Sequence, residues 1–137
     1  LTISTAENKQ PCSCTAYYCF DDRLNLYVCT DPGTLHCRNI EKNPLVAVNI
    51  VDSRQEWGGH LQGLQIQGKA QRVGIKELIK AGGLYIKRFS KSILLVKNAK
   101  GFHASVFKSR LYKITPKKIK VFDNKAFGKK ESRELVL

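Results

Sequence analysis

The stretch LNLYVCTDPGTLHCRNIEKNPLVAVNIV, residues 24–51, decides the fold. Apolar and polar residues alternate over residues 24–29, which is the period of a half-buried strand. Residues 30–33, Thr-Asp-Pro-Gly, end that strand, because proline cannot extend the hydrogen-bonded ladder and glycine permits a sharp turn. Residues 34–42 suit a helix that ends before Pro44. Leu45–Val51 is almost continuously apolar and predicts a strand covered on both faces.

The start of this helix is a suitable place for an anion. The first helical turn leaves its N–H groups without partners and carries the positive end of the helix dipole. Thr30 and Thr34 add hydroxyl groups, and His36 adds an imidazole in the first turn. An ordinary capped surface helix, with Leu35 and Ile40 as its apolar face, accounts for the same residues without any ligand.

The rest of the chain predicts further strands and one more helix. Residues 1–5 and 11–20 form strands, and a turn at residues 21–23 leads into the central stretch. After a loop at residues 52–59, residues 60–73 alternate as a long strand that bends at Gly63 and Gly68. Residues 75–89 have the helical period, with a weak middle at Gly82-Gly83. Residues 102–114 and 118–122 alternate as two strands around Pro116. Mostly antiparallel strands with short helices predict a closed or nearly closed barrel.

The order of these elements resembles the FMN-binding split-barrel superfamily, the pyridoxamine 5'-phosphate oxidase-like proteins. The resemblance rests on CTDPGTLH at residues 29–36, NPLVAVNI at 43–50 and LQGLQIQGKAQRV at 61–73. YIKRF at residues 85–89 and FDNKAFGKK at 122–130 look closer still to a small uncharacterised bacterial branch of that superfamily. The resemblance to the superfamily implies a single domain over residues 1–137, built as a six- to seven-stranded antiparallel split β-barrel.

The resemblance also implies an FMN site, with the phosphate held at strand ends and at the turn before the first helix. The candidate cofactor-binding residues in this sequence are Cys29, Thr30, Thr34, His36, Gln62, Asn124, Phe127 and Lys129. Gln62 stands one position away from the glutamine of the oxidase. The substrate-binding arginines near the C-terminus of the oxidase have no clean match, and Asn124, Phe127, Lys129 and Lys130 occupy that region. Three basic residues of the oxidase are replaced here, by Cys14, Cys19 and Leu35. No residue stands out as a general acid or base, so the catalytic residues stay unknown. Because the flavin ring itself carries redox chemistry, an FMN-dependent oxidoreductase acting on an unidentified small substrate remains open.

Charge supports a second hypothesis. The chain of 137 residues has a formal net charge of +13. Residues 1–68 have a net charge of −2 and residues 69–137 have +15, by counting Lys and Arg against Asp and Glu. A basic half with aromatic residues at 102, 107, 112 and 122 could bind nucleic acid, but we expect these aromatic residues to lie in the core. Nucleic acid is therefore the less favoured partner, and a cofactor-free interaction protein is the third alternative.

Partners and compartment follow from the remaining composition. The superfamily shares its flavin between two protomers, so we expect a homodimer with Trp57 at or near the contact or, more simply, as a partly buried loop anchor. Five cysteines at poor metal-ligand spacing predict free thiols and no metal site. No apolar run has the length of a membrane span, and no signal-peptide pattern is present. We therefore expect a cytoplasmic protein that does not enter a membrane.

Overall fold

The computed structural model describes residues 1–89, 110–128 and 132–137. The strands are β1 Thr2–Glu7, β2 Gln10–Thr15, β3 Tyr18–Phe20, β4 Leu26–Thr30, β5 Leu45–Val51, β6 Gln62–Arg72, β7 Arg110–Asp123 and β8 Ser132–Val136. The helices are α1 Leu35–Lys42 and α2 Ile75–Arg88. The predicted positions Phe102, Phe107, Lys129 and Lys130 lie outside the described residues.

All strand pairs are antiparallel, in the order β2-β1-β5-β6-β7-β4-β3, with β8 added beside β7. The two edge strands, β2 and β3, are separated in the chain only by Ala16 and Tyr17. A sheet whose opposite edges are joined by two residues must curl on itself, which makes a half-barrel. The predicted antiparallel split barrel is therefore confirmed, but the sheet has eight strands in the described residues, where six to seven were predicted.

The long antiparallel pair of β6 and β7 is irregular at one of the two glycines where the sequence predicted a bend, Gly68; Gly63 pairs in regular register with Phe122. Residues pair without interruption until the register shifts between Gln67 and Gly68, opposite Pro116 and Lys118. A Cβ atom at Gly68 would lie 2.5 Å from the carbonyl oxygen of Thr115, so only glycine permits this approach. The prediction of two strands separated at Pro116 is wrong, because the bulge accommodates the proline inside one continuous β7.

The predicted burial of two strands is wrong: β4 was predicted to be half-buried, and β5 was predicted to be covered on both faces. β4 is buried on both faces: Val28 lies in the barrel core and Tyr27 lies in a second cluster with Ala81 of α2. β5 alternates, with Val46 and Val48 buried and the residues between them exposed. Helix α2 covers the outer face of β4, whereas nothing in the described residues covers the outer face of β5.

Smaller differences concern single elements. Residues 11–20 form two strands, not one, with a break at Ala16 and Tyr17 between β2 and β3. Leu35 is half exposed, and Cys37 replaces it on the buried face of α1. α2 continues through Gly82 and Gly83 without a break. Trp57 is fully exposed rather than a partly buried anchor.

The thiol and aromatic predictions have clear outcomes in the described residues. All five cysteines are free, as predicted. Tyr112 is completely buried in the core, so it cannot stack on a base. Among the described residues, no group of three or more His, Cys, Asp or Glu side chains could hold a metal ion. No helix in the described part of the chain is long and apolar enough to cross a membrane.

Candidate functional site

The turn between β4 and α1 is held by its own side chains. The Asp31 carboxylate accepts a hydrogen bond from the backbone N–H of Gly33 at 2.8 Å. The backbone N–H of Thr34 donates to the carbonyl of Asp31 at 3.1 Å, which closes the turn. The guanidinium of Arg38 donates to the carbonyl of Gly33 from the exposed side of α1. The loop is therefore held by hydrogen bonds within the chain, without any ligand.

The structure brings Thr30, Thr34 and His36 together, as the sequence predicted. His36 Nε2 lies 2.8 Å from the Thr30 hydroxyl oxygen and 3.2 Å from that of Thr34. The hydroxyl of Thr34 donates its one hydrogen to the carbonyl of Asp31, at 2.7 Å. It can therefore only accept from His36, so we assign the proton of the neutral ring to Nε2. Thr30 accepts from the same N–H, which leaves its own hydroxyl hydrogen available for a ligand.

The first turn of α1 keeps its backbone donors accessible. Thr34 is the N-cap residue by position, yet its side chain makes no capping hydrogen bond, and the first turn contains no acidic residue. The N–H groups of that turn have no intrahelical acceptor, so they can bind an anion. Partial burial lowers the pKa of His36, because desolvation disfavours the charged imidazolium. The ring is thus neutral near pH 7 before a ligand binds.

Cys29 is placed by a residue that the sequence did not single out as part of the site. The backbone N–H of Cys29 donates to the hydroxyl oxygen of Tyr85 at 2.8 Å. The same hydroxyl lies 2.8 Å from the carbonyl of Tyr17 and 3.1 Å from that of Tyr27. α2 is therefore tied to the end of β4, next to Thr30. The YIKRF motif begins at Tyr85 and was the one sequence signal for this contact.

The other predicted site residues that the structure describes form a second group, where the start of β6 pairs with the end of β7. The Asn124 side chain fastens the loop before β6, since its oxygen accepts from Leu61 N–H and its amide donates to the carbonyl of Gly59, each at 3.1 Å. Gln62 opens β6 opposite Asp123. The ring of Phe127 lies 5.4 Å from the guanidinium of Arg133. Of these three residues, Asn124 holds the local loop through its side chain, and Phe127 contacts β8.

His60 and Asp123 are hydrogen-bonded to each other beside this second group. His60 Nε2 lies 2.8 Å from Asp123 Oδ1. The bond from His60 and the backbone N–H of Ala126 hold the pKa of Asp123 below its usual value. Two clefts lie against this end: one of about 380 Å³ lined by Gln62 and Asp123, and one of about 320 Å³ lined by Asn124 and Gly128.

The two groups are far apart within one chain. Thr30 pairs with Arg110 at one end of β7, whereas Gln62 pairs with Asp123 at the other end. Arg72 lies ten positions after Gln62 in β6, which is a path of roughly 30 Å along an extended strand. Neither of the two clefts is lined by Thr30, Thr34 or His36. One protomer therefore presents an open anion-binding turn and, separately, a pair of clefts.

A comparison with known protein families shows which family the chain belongs to. A model of the family described as pyridoxamine 5'-phosphate oxidase matches residues 1–123. The chain belongs to the pyridoxamine 5'-phosphate oxidase family. The match covers β1 to β7 and both helices, so both groups of the candidate site lie on family structure, apart from Asn124 and Phe127 just beyond it. No curated protein matches the sequence.

Solved structures support the same fold at low sequence identity. A heme binding protein from Mycobacterium smegmatis is similar, with a TM-score of 0.74 and 14% identity over 98% of this chain and 51% of its own. The Agrobacterium tumefaciens protein Atu2129, of unknown function, has a TM-score of 0.72 and 21% identity over 88% of this chain and 49% of its own. A FAD-binding protein from Mesorhizobium loti has a TM-score of 0.62 and 18% identity over 86% and 78%. The chain thus spans about half the length of the first two structures.

Proposed function

We propose that this protein binds a flavin, FMN, and anchors its phosphate at the turn between β4 and α1. The observation that carries the proposal is the cluster of Thr30, Thr34 and His36 at an uncapped helix start. These groups fit a phosphate: the helix supplies N–H donors, Thr30 has a free hydroxyl hydrogen, and His36 can gain a proton beside a dianion. When bound, the flavin would supply redox chemistry, and oxidoreductase activity on a small substrate is part of the proposal.

We propose further that the site is completed in a cytoplasmic homodimer. In one protomer the phosphate turn lies on an open surface, distant from Gln62, Asn124 and Phe127. In a two-fold symmetric dimer, a contact between two different surfaces occurs twice. The phosphate turn of each protomer can then face the group of Gln62, Asn124 and Phe127 on its partner. The ring system of the flavin would then lie between the two groups, with one group from each protomer.

Titration of FMN and riboflavin against the wild type and His36→Ala tests the phosphate site. A neutral hydrogen bond contributes about 1 kcal/mol and a charged one about 1.5–3 kcal/mol. His36→Ala should therefore weaken FMN about 5-fold if the ring stays neutral, because it then acts only by holding the Thr30 hydroxyl. The loss should be roughly 10- to 150-fold if phosphate binding charges the ring, because the charged ring gains an Nδ1–H donor for the phosphate. Riboflavin, which lacks the phosphate, should bind both proteins alike. Isothermal titration calorimetry measures all four affinities.

Two further measurements sharpen this test. A phosphate that raises the pKa of His36 makes FMN binding take up a proton. FMN affinity should therefore fall as the pH rises from the pKa of His36 in the free protein to its pKa in the complex, and should level off above the latter. Thr30→Val should weaken FMN by removing the hydroxyl donor, and Thr30→Ser, which keeps it, should not. Equal loss of FMN and riboflavin in His36→Ala would show that His36 does not bind the phosphate.

The cofactor itself is tested by spectroscopy of the natively purified protein. A bound flavin gives a yellow protein with flavin fluorescence after denaturation, and a heme gives a Soret band instead. One structural neighbour is a heme binding protein, so the two cofactors must be distinguished. A Soret band without flavin fluorescence would overturn the FMN assignment.

A further inference from the structure

Arg88, at the C-terminal end of α2, lies among aromatic rings on the protein surface. Its guanidinium carbon is 4.6 Å from the centre of the Tyr18 ring, 5.7 Å from that of Phe20 and 5.8 Å from that of Phe89. The ring of Tyr17 packs edge-on against Phe89 at 5.5 Å. We call these five residues the Arg88 cluster. Contacts of this kind fix the plane of a guanidinium that would otherwise move freely.

The hydrogen-bond donors of Arg88 are not used within the described residues. The guanidinium makes no ion pair and no hydrogen bond in that part of the chain. The nearby buried carboxylate of Asp21 is committed to Lys80, at 2.7 Å, and to Tyr27, at 3.1 Å. Among the residues that the structure describes, Arg88 is therefore a positive charge without an anionic partner, and it is exposed to solvent.

Stacking and hydrogen bonding use different parts of a guanidinium. Aromatic rings contact its flat faces, whereas its N–H groups point outward in the plane and fit the two oxygens of a carboxylate or phosphate. Around Arg88, two aromatic side chains remain open to solvent: Tyr17 is 80% exposed and Phe20 is 49% exposed. An anion held by Arg88 would thus have ring surfaces within reach for a planar group attached to it.

We propose that the Arg88 cluster binds a small planar anion, a carboxylate or phosphate group carried on an aromatic ring. The guanidinium binds the anionic group, and the exposed rings of Tyr17 and Phe20 stack against the planar part. The site lies beside the phosphate turn, because Tyr85 contacts both Phe89, at 5.8 Å between ring centres, and the backbone of Cys29. The inference does not depend on flavin binding, and it assigns a second ligand site to the same end of the fold.

A titration with four simple probes tests the recognition chemistry. Benzoate and phenyl phosphate each combine a ring with an anion, benzamide keeps the ring without the charge, and acetate keeps the charge without the ring. Binding is followed by NMR, through the backbone amides of residues 17–20 and the side-chain Nε–H of Arg88. Benzoate or phenyl phosphate should bind at least about 10-fold more tightly than benzamide and acetate. The stronger of the two shows whether the natural anionic group is a carboxylate or a phosphate.

Variants of two adjacent basic residues locate the site. Arg88→Gln should weaken the better probe about 10-fold or more, and Arg88→Lys should weaken it less, since the charge remains while the planar fork is lost. Lys87→Gln is the matched control, because Lys87 is an exposed cation in the same helical turn. The Lys87→Gln variant should bind the better probe with the affinity of the wild type. If Arg88→Gln does not fold, Arg88→Lys still tests whether the guanidinium binds the probe.

The outcome separates this inference from the flavin proposal. His36→Ala should leave benzoate binding unchanged, and Arg88→Gln should leave FMN binding unchanged. Acetate and benzoate binding equally, or Lys87→Gln losing as much affinity as Arg88→Gln, would show general attraction of anions to a basic surface and would overturn the site.

Discussion

Asp21 is the most heavily hydrogen-bonded side chain of the described residues, although it is a carboxylate with only 4% of its surface exposed. It accepts hydrogen bonds from the backbone and side chain of Asn25, from the hydroxyl of Tyr27 and from the ammonium of Lys80. Tyr27 also reaches Glu77, which pairs with Lys113 at 2.7 Å. This network joins the β3–β4 hairpin, α2 and β7 through charges that compensate one another.

Replacing Asp21 should therefore destabilise the protein in a pH-dependent way. These hydrogen bonds hold the pKa of Asp21 well below its usual value, against the opposing effect of burial. A lowered folded-state pKa gives stability that is present above the unfolded-state pKa and is lost as the pH falls through the folded-state pKa. Asp21→Asn should cost about 2–3 kcal/mol near neutral pH and progressively less below about pH 4.

Urea unfolding over a series of pH values measures this effect. Asp22→Asn is the control, because Asp22 is the exposed neighbour in the same turn, and it should change the free energy of unfolding by no more than about 0.5 kcal/mol. A cost of Asp21→Asn that does not decrease in acid would show that charge is not what Asp21 contributes.

At the scale of elements, α2 contains two glycines that its packing does not require. A Cβ atom at Gly82 or Gly83 would meet no atom within 4 Å, and neither residue has a positive φ. Glycine inside a helix costs roughly 0.5–1 kcal/mol relative to alanine, because the unfolded chain loses more freedom on folding. Gly82→Ala and Gly83→Ala should each raise the free energy of unfolding by about that amount.

Gly58 provides the matched control for these substitutions. A Cβ atom there also meets nothing within 4 Å, but the backbone has φ +81°. Gly58→Ala should therefore destabilise by about 1 kcal/mol, although the added methyl group has the same open surroundings. Chemical denaturation of the three variants compares them directly, and a destabilising Gly82→Ala would mean that α2 needs its flexibility.

Local chemistry made much of this fold predictable from the sequence. Thr30, Thr34 and His36 lie within seven residues of one another, so turn and helix signals alone brought them together. Burial of β4 and β5 was predicted wrongly because a strand's own pattern does not show what covers its outer face. α2 covers β4 through residues about fifty positions away, as the contact between Tyr27 and Glu77 shows. The bond from Cys29 to Tyr85 spans 56 positions and was hidden for the same reason.

At the scale of the whole molecule, three exposed apolar side chains lie in or beside the loop that joins β5 and β6. Val51 ends β5 with 47% of its surface exposed, Trp57 is completely exposed in the loop, and Leu61 precedes β6 with 54% exposed. Gly58 and Gly59 form the tip of the same loop. Exposed apolar groups close together are typical of protein contacts, and this is the region that the dimer proposal needs.

Sedimentation analysis tests the proposed homodimer. The wild type should be a dimer at micromolar concentration, and Trp57→Ser combined with Leu61→Ser should weaken the dimer at least about 10-fold, because both apolar groups leave the contact. Ile79→Ser is the control: Ile79 is 80% exposed, but it lies on α2, away from this loop, and the dimer should be unaffected. A wild type that is monomeric at this concentration would contradict the dimer.

Mixed dimers then test whether the two groups of the candidate site meet across the contact. If each FMN site needs His36 from one protomer and Phe127 from its partner, a homodimer of His36→Ala has two defective sites. A homodimer of Phe127→Ala also has two defective sites. When the two variants are mixed and allowed to exchange subunits, one of the two sites in each heterodimer regains both residues. FMN binding in the mixture should therefore recover toward one intact site per heterodimer. Recovery requires that the groups act in trans, since residues acting within one protomer would leave every site in the mixture with a defect.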